Sequence, residues 1–205
     1  MAQDLSDDLI NNKHTSKPLE VQLSDKVQIT SDLKNAIKDA DIILSVVATS
    51  GVRDVCEHLK VAGIEPEQVL VNASKGIELP SLMRMSQVIK EVLPNQKLAV
   101  LSGPTLAKEV LAGKPTAASV ASEDMKAAEF VQHACNVPGK FRLYTNNDVI
   151  GVELGGSLKN VIAIASGFAH EMKLGDNCAG TLLTRGMAEI VRVSINLGAN
   201  PSTLY

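Results

Sequence analysis

Apolar and polar residues follow one another in short blocks along this chain, and the blocks switch between a strand-like and a helix-like period. Residues 1 to about 26 are mostly polar and read as loop after a short helical piece. "VQIT" is then a short predicted strand, and "SDLKNAIKDA" a helix with Ser31 as N-cap and Leu33, Ala36, Ile37 and Ala40 on one face. "DIILSVVA" is a continuous apolar run, the pattern of a strand buried on both faces of a parallel sheet. "SGVRDVCEHLK" reads as helix, "VLVNA" as strand, and "LPSLMRMSQVIKEVL" as helix with Pro80 near its first turn. "KLAVLSG" is a strand, "TLAKEVLAG" a short helix ending at Gly113, and "TAASVAS" another strand. "EDMKAAEFVQHACN" is a helix and "KFRLYTN" the last strand. This rhythm predicts an α/β fold, a doubly wound sheet with right-handed crossovers.

The rhythm stops at Asn147. Beyond it only two long helical stretches appear, about 147–173 and 177–198, the second ended by Gly198 and Asn200-Pro201. The change from alternating α/β to all-α predicts a domain boundary near 145–148, dividing the chain into 1–146 and 147–205.

Composition narrows the partners. Hydrophobic residues are 45% of the 205, enough for a sizeable core, but aromatics are only 2%, so the core is aliphatic and base-stacking platforms are scarce. A net charge of −3 with interspersed signs gives neither a basic nucleic-acid face nor a polybasic membrane patch. The apolar segment 149–169 contains Glu153, Lys159 and Asn160 and reads as a buried helix rather than a membrane span. The N-terminus is acidic where a signal peptide would be basic and then apolar. Cys56, Cys135 and Cys178 are far apart, which fits reduced thiols in the cytoplasm and disfavours a metal site.

Ligands of open α/β sheets sit at the carboxyl ends of the strands. Three such ends carry small or polar residues here, "VVATSG", "VNASKG" and "VLSGPT", with Gly51, Gly76 and Gly103 just past the strands. Together they predict a cleft along one edge. Lys75 is the only charge in "VNASKGI": it is either a solvated loop lysine or a cation at the cleft mouth, suited to a phosphate or a polarised carbonyl. Lys159 lies among Gly155, Gly156, Ala163 and Ser166, on a stripe of very small side chains. One account is close helix packing with the lysine snorkelling to the edge; the other is a lysine facing a cavity, its pKa lowered into a range useful for proton transfer. His14, His58, His133 and His170 do not cluster, and structural or surface roles suit them. Asp148 reads as an acid at a helix N-terminus, and Arg185 and Arg192 share a helix face that leaves a homodimer open.

"ASKGIE", "LSGPTLAKEV", "KPTAASVAS", "DVIGVELGGSLKNVIAIASGF" and "LGDNCAGTLLTRGMAEIVR", in that order and spacing, resemble NAD(P)-dependent glycerol-3-phosphate dehydrogenases. The similarity runs from about Ile10 to the last residue, and the Gly-Gly-Ser-Leu-Lys-Asn segment is its most specific part. The resemblance implies a Rossmann-like nucleotide domain followed by an all-helical substrate domain. It also implies interconversion of dihydroxyacetone phosphate and sn-glycerol 3-phosphate with NAD or NADP, feeding glycerophospholipid synthesis. By the same resemblance Lys159 is the proton donor and acceptor, and Lys75 touches both substrate and cofactor. Gly103 and Thr105 match substrate contacts, and Ala107 a cofactor contact. Hydride would pass from reduced nicotinamide to the ketone carbon while Lys159 protonates the developing alkoxide and Lys75 holds the substrate.

The chain departs from the family pattern in four places. Thr105 replaces a more usual serine, and Ala48 a proline. No G-x-G-x-x-G occurs, and the downstream segments that carry a substrate-site aspartate and an arginine-asparagine pair do not appear before "NPSTLY". Without that arginine a phosphate substrate loses a bidentate anchor. Without its first two strands the sheet would leave "VQIT" unpartnered and "DIILSVV" an exposed apolar edge. The expectation is a fragment of a longer enzyme, with little activity by itself. Two other readings stand beside it: a cofactor-free binding module, and a lysine-dependent dehydrogenase of the 3-hydroxyacid or 6-phosphogluconate type.

Overall fold

The computed structural model describes residues 21–204, together with Leu9. The helical piece expected near the N-terminus, and His14, lie outside the described residues. Helix α1 (Leu33–Ile37) leads into strand β1 (Ile42–Ser45), a 3-10 turn (Thr49–Gly51) and helix α2 (Val52–Ala62). Then come β2 (Val69–Asn72), α3 (Met85–Val92), β3 (Lys97–Ser102), α4 (Ala107–Leu111), β4 (Thr116–Ala121), α5 (Met125–Cys135) and β5 (Phe141–Asn146). Two long helices, α6 (Val149–Glu171) and α7 (Gly175–Asn196), and a 3-10 turn (Pro201–Leu204) complete the order.

The five strands form one sheet in the order β1-β2-β3-β4-β5. Alternation of side chains across it sorts the core. Leu70 of β2 packs with Val52, Cys56, Leu59, Met85 and Ile89 of α2 and α3. Its neighbours Val69 and Val71 point the other way, towards Ala127, Ala128 and Val131 of α5. Strand β2 is buried throughout, so its apolar run "VLVN" has the two-faced burial of a central strand. Strand β1 does not: it is an edge, and Leu44 and Val46 are 54% and 68% exposed. The two-faced burial expected from its composition is therefore overturned, while the exposed apolar edge is as expected.

The sheet is mixed. Strands β1, β2 and β3 are parallel, β3 and β4 are antiparallel, and β4 and β5 are parallel again. The expected α/β class holds; the one departure from parallel pairing, between β3 and β4, has its cause in α4. A parallel crossover needs a helix that covers the sheet. Helix α4 has five residues and buries none of them, so the chain returns antiparallel.

Three further expectations are corrected. "VQIT" forms no strand: its first residue, Val27, is 40% exposed and its N–H closes a turn onto the Ser24 carbonyl. The N-cap of α1 is Asp32 rather than Ser31, because the Asp32 carboxylate accepts from Asn35 N–H. Pro80 lies outside α3, which begins at Met85; residues 78–83 form a tight loop with a cis Leu79–Pro80 bond, closed by Glu78 N–H to Met83 O.

Helix α6 docks by its first half. Gly151, Val152, Glu153, Leu154 and Gly156 are buried, and the helix packs on β3, β4 and α7. The all-round burial expected from its apolar sequence is not seen among the described residues, since Val161, Ile164 and Phe168 are 63–67% exposed. By length and composition α6 could also cross a membrane. Asp148 caps α6 by accepting from Gly151 N–H, and its other oxygen accepts from Asn200 N–H beyond the end of α7.

Candidate active site

Three strand ends build the site. Past β2, the buried Asn72 side chain bonds both the carbonyl and the N–H of Ser74, which tightens the turn that carries Lys75. Ser74 Oγ donates to Val47 O at 2.6 Å and Thr49 Oγ1 to Lys75 O at 2.9 Å, so the turn is strapped to the end of β1. Gly76 makes the strap possible. Its φ is +151°, and a Cβ there would lie 2.7 Å from Thr49 Oγ1.

Past β3, Gly103 lies so close to β4 that a Cβ would meet Ala118 Cα at 2.8 Å. Its carbonyl is the meeting point of the site. Lys75 Nζ donates to Gly103 O at 2.9 Å, Lys159 Nζ donates to it at 3.2 Å, and Thr105 N–H at 3.1 Å. Two lysines 84 positions apart in sequence thus place their ammonium groups side by side on one oxygen. The Lys75 pKa is lowered, first by burial and then by the Lys159 charge. The snorkelling account of Lys159 is set aside by this geometry: its amine turns inwards to the strand end.

Small residues let α6 approach. A Cβ on Gly156 would overlap Ser102 Oγ, and Gly155 and Gly156 line a cleft of about 290 Å³ with Gly103, Lys159, Met187 and Ile190. Two larger hollows, about 370 and 490 Å³, lie away from the lysine pair. Chemistry rather than size selects the smaller cleft, because among the described residues it is the one of the three lined by a lysine that donates to a backbone carbonyl.

Of the residues singled out from sequence, Lys75, Lys159, Gly103 and Thr105 come together. Ala107 does not join them through a hydrogen bond; it is the exposed first residue of α4. His58, His133 and His170 are exposed and scattered, and Arg192 pairs with Glu189 on its own helix.

A set of residues missed by sequence reasoning adjoins the site. Glu153 of α6 is 6% exposed, and its carboxylate accepts from Ser86 N–H at 2.7 Å, Ser86 Oγ at 2.6 Å and Arg84 Nη1 at 2.5 Å. A lone carboxylate inside "GVELGG" was the available signal, because a buried charge needs a partner.

Residues 1–128 match the profile of the NAD-dependent glycerol-3-phosphate dehydrogenase N-terminus, and residues 148–205 that of its C-terminus. A glycerol-3-phosphate dehydrogenase [NAD(P)+] of Thermoanaerobacter sp. is 44% identical over 197 residues, 96% of this chain and 59% of that protein. One from Synechococcus sp. is 48% identical over 172 residues, 84% of this chain and 55% of that protein. Among solved structures, glycerol-3-phosphate dehydrogenase from Coxiella burnetii superposes with a TM-score of 0.90 at 32% identity, covering 98% of this chain and 61% of that one. DsGPDH of Dunaliella salina shares the fold, with a TM-score of 0.86 at 22% identity over 98% of this chain and 35% of that one. The chain thus spans somewhat more than half the length of the curated relatives it matches. By the two matched segments and this identity, the chain belongs to the NAD-dependent glycerol-3-phosphate dehydrogenase family.

Proposed function

We propose that this chain carries the proton-transfer side of an oxidoreductase that interconverts dihydroxyacetone phosphate and sn-glycerol 3-phosphate with NAD or NADP. The observation that carries the reading is the convergence of Lys75 and Lys159 on Gly103 O. A substrate oxygen taking the place of that carbonyl would meet two donors. Lys159 would hydrogen-bond the ketone oxygen and deliver its proton as the alkoxide forms. Lys75, held by Thr49 and Gly76, would orient the substrate, and Gly103 and Thr105 would present backbone groups to it. Burial first, and the Lys159 charge second, lower the Lys75 pKa, and in its protonated form its charge would stabilise the same developing anion.

Residues on one flank fit a nicotinamide cofactor. Past β1, Ala48 is exposed, and a Cβ on Gly51 would have no atom within 4 Å, so the backbone there is open to a ligand beside the Lys75 turn. Lys75 and Ala107 are the residues of this chain that would contact the group. When bound, the reduced cofactor supplies hydride to the ketone carbon.

The product would feed glycerophospholipid synthesis, in the cytoplasm, where the free state of Cys56, Cys135 and Cys178 is at home. Residues 1–146 would serve as the nucleotide-binding unit and 147–205 as part of the substrate unit. Alone, the 205-residue chain would turn over weakly, since the apolar edge of β1 and the second half of α6 are uncovered among the described residues.

Reductive methylation of the purified chain, resolved by lysine with mass spectrometry, tests the reading. Millimolar dihydroxyacetone phosphate is expected to protect Lys75 and Lys159, and glycerol is not. Protection of neither lysine would overturn the assignment. Slow NADH oxidation that depends on dihydroxyacetone phosphate should fall roughly 100-fold or more in Lys159→Ala. Turnover equal to that of the full-length relatives would refute the weak activity.

A further inference from the structure

We propose that Glu153, clamped by Arg84 and Ser86, is a positioning residue that sets the spacing of the Lys75–Lys159 pair. The inference rests on the reading of that pair as the proton-transfer site, and the observations form a closed ring. Glu153 is buried on α6, six residues and less than two helical turns before Lys159 on the same rigid rod. Both its oxygens are taken by the start of α3, through Ser86 N–H, Ser86 Oγ and Arg84 Nη1.

Arg84 is also tied to the other lysine. Its backbone forms an isolated antiparallel bridge with Ile77, two residues after Lys75, and Glu78 N–H to Met83 O closes the ladder beside it. From Lys75 the chain runs to Ile77, across the bridge to Arg84, across the carboxylate to Glu153, and along α6 to Lys159. Lys159 and Lys75 then close the ring on Gly103 O. No other salt bridge among the described residues joins α6 to the segment after β2.

Two features of the clamp suit positioning rather than adhesion alone. A carboxylate that accepts three directed hydrogen bonds fixes both the height and the rotation of its helix, whereas apolar contacts tolerate sliding. The clamp also works beside Gly156, whose lack of a side chain lets α6 lie against Ser102. Without the clamp, α6 keeps only a long Ser157 Oγ to Gly76 O bond at 3.5 Å and the Lys159 bond itself across this face, and a rotation about the smooth contact would carry Lys159 away from Gly103 O.

The experiment reads the lysines directly. In the full 205-residue chain with 13Cε-labelled lysine, the titration midpoint of Lys75, assigned with Lys75→Arg, reports how buried it is and how near Lys159 lies. Glu153→Ala is expected to move that midpoint up towards an ordinary lysine, because α6 loosens and the neighbouring charge recedes. Arg84→Met, which leaves Glu153 bonded to Ser86, should move it in the same direction by less and decides the question if Glu153→Ala does not fold. Gln68→Ala removes buried hydrogen bonds to Ile37 O and Ala40 O far from the site, and is expected to lower stability without moving Lys75. An unchanged midpoint in the folded clamp variants, or an equal change in Gln68→Ala, would overturn the inference. The titration uses no substrate, so it stands or falls separately from the protection of the lysines by dihydroxyacetone phosphate.

Discussion

A methyl group added at Gly103 would fall 2.8 Å from Ala118 Cα and 3.1 Å from Ala117 O, both backbone neighbours that cannot turn aside. Gly103→Ala should therefore force β3 away from β4, destabilising the chain by roughly 1–3 kcal/mol as overpacking does. It should also displace the carbonyl held by the two lysines. Gly180, in the second turn of α7, has open space where its Cβ would be. The same chemical change there, Gly180→Ala, should be neutral or stabilise by up to about 1 kcal/mol through helix propensity alone. Urea unfolding of the two variants checks the pair, and equal effects would show that the β3–β4 approach is not tight. Sequence pointed to Gly103 through a glycine just past a strand, but that pattern says only that a backbone has room to bend. The close approach to β4, and the fact that one carbonyl collects two ammonium groups, depend on chain that is distant in sequence.

The segment between β2 and α3 shows how one element is held by charge. Arg53 of α2 donates through Nε and Nη2 to the two oxygens of Glu78, and Ser81 Oγ donates to the same carboxylate. The Arg53 hydrogen bonds first, and the Ser81 bond second, lower the Glu78 pKa from 4.5 to about 2. A carboxyl whose pKa is depressed by folding contributes stability that is present above the unfolded value and lost as pH falls through the folded one. The contribution should therefore be whole at pH 6 and vanish between about pH 4.5 and 2. Thermal melts of the wild type and Arg53→Met across this range provide the check: the difference between them should shrink as pH falls, and a constant difference would refute it. Sequence reasoning began the helix at Leu79, with Pro80 near its first turn. The apolar spacing of "LMRMSQVI" is helical from the start, so periodicity had no means to show that a loop precedes Met85. Strands β2 to β5 were legible, because alternation and apolar runs are local properties of the chain. The direction of β4 was not, since it follows from a connecting helix too short to cover the sheet.

Across the whole molecule, two apolar surfaces remain uncovered among the described residues. One is the edge strand β1, with Leu44 and, just past its end, Val46 exposed, and the other is the stripe of Val161, Ile164 and Phe168 on α6, continued by its C-cap Met172. An exposed apolar edge strand pairs readily with another chain. The isolated 205-residue chain should accordingly self-associate, with an apparent mass in sedimentation velocity that rises with concentration. Leu44→Lys combined with Val46→Lys should reduce that association with little change in melting temperature. A chain that stays monomeric over the whole concentration range would contradict the prediction.

Local periodicity and residue chemistry alone specify most of the strands and helices, the passage from α/β to all-α between Asn146 and Val149, and two lysines worth suspecting. Residue order and spacing carry the family as well. Folding alone decides which way β4 runs, what satisfies the buried Glu153 carboxylate, and that Lys75 and Lys159 meet. The reason is range. Helix and strand signals arise between residues two to four positions apart, whereas the two lysines reach Gly103 O from 28 and 56 residues away and Glu153 reaches Ser86 across 67. At those separations the partner is chosen by how the sheet and helices pack, and no local pattern records it.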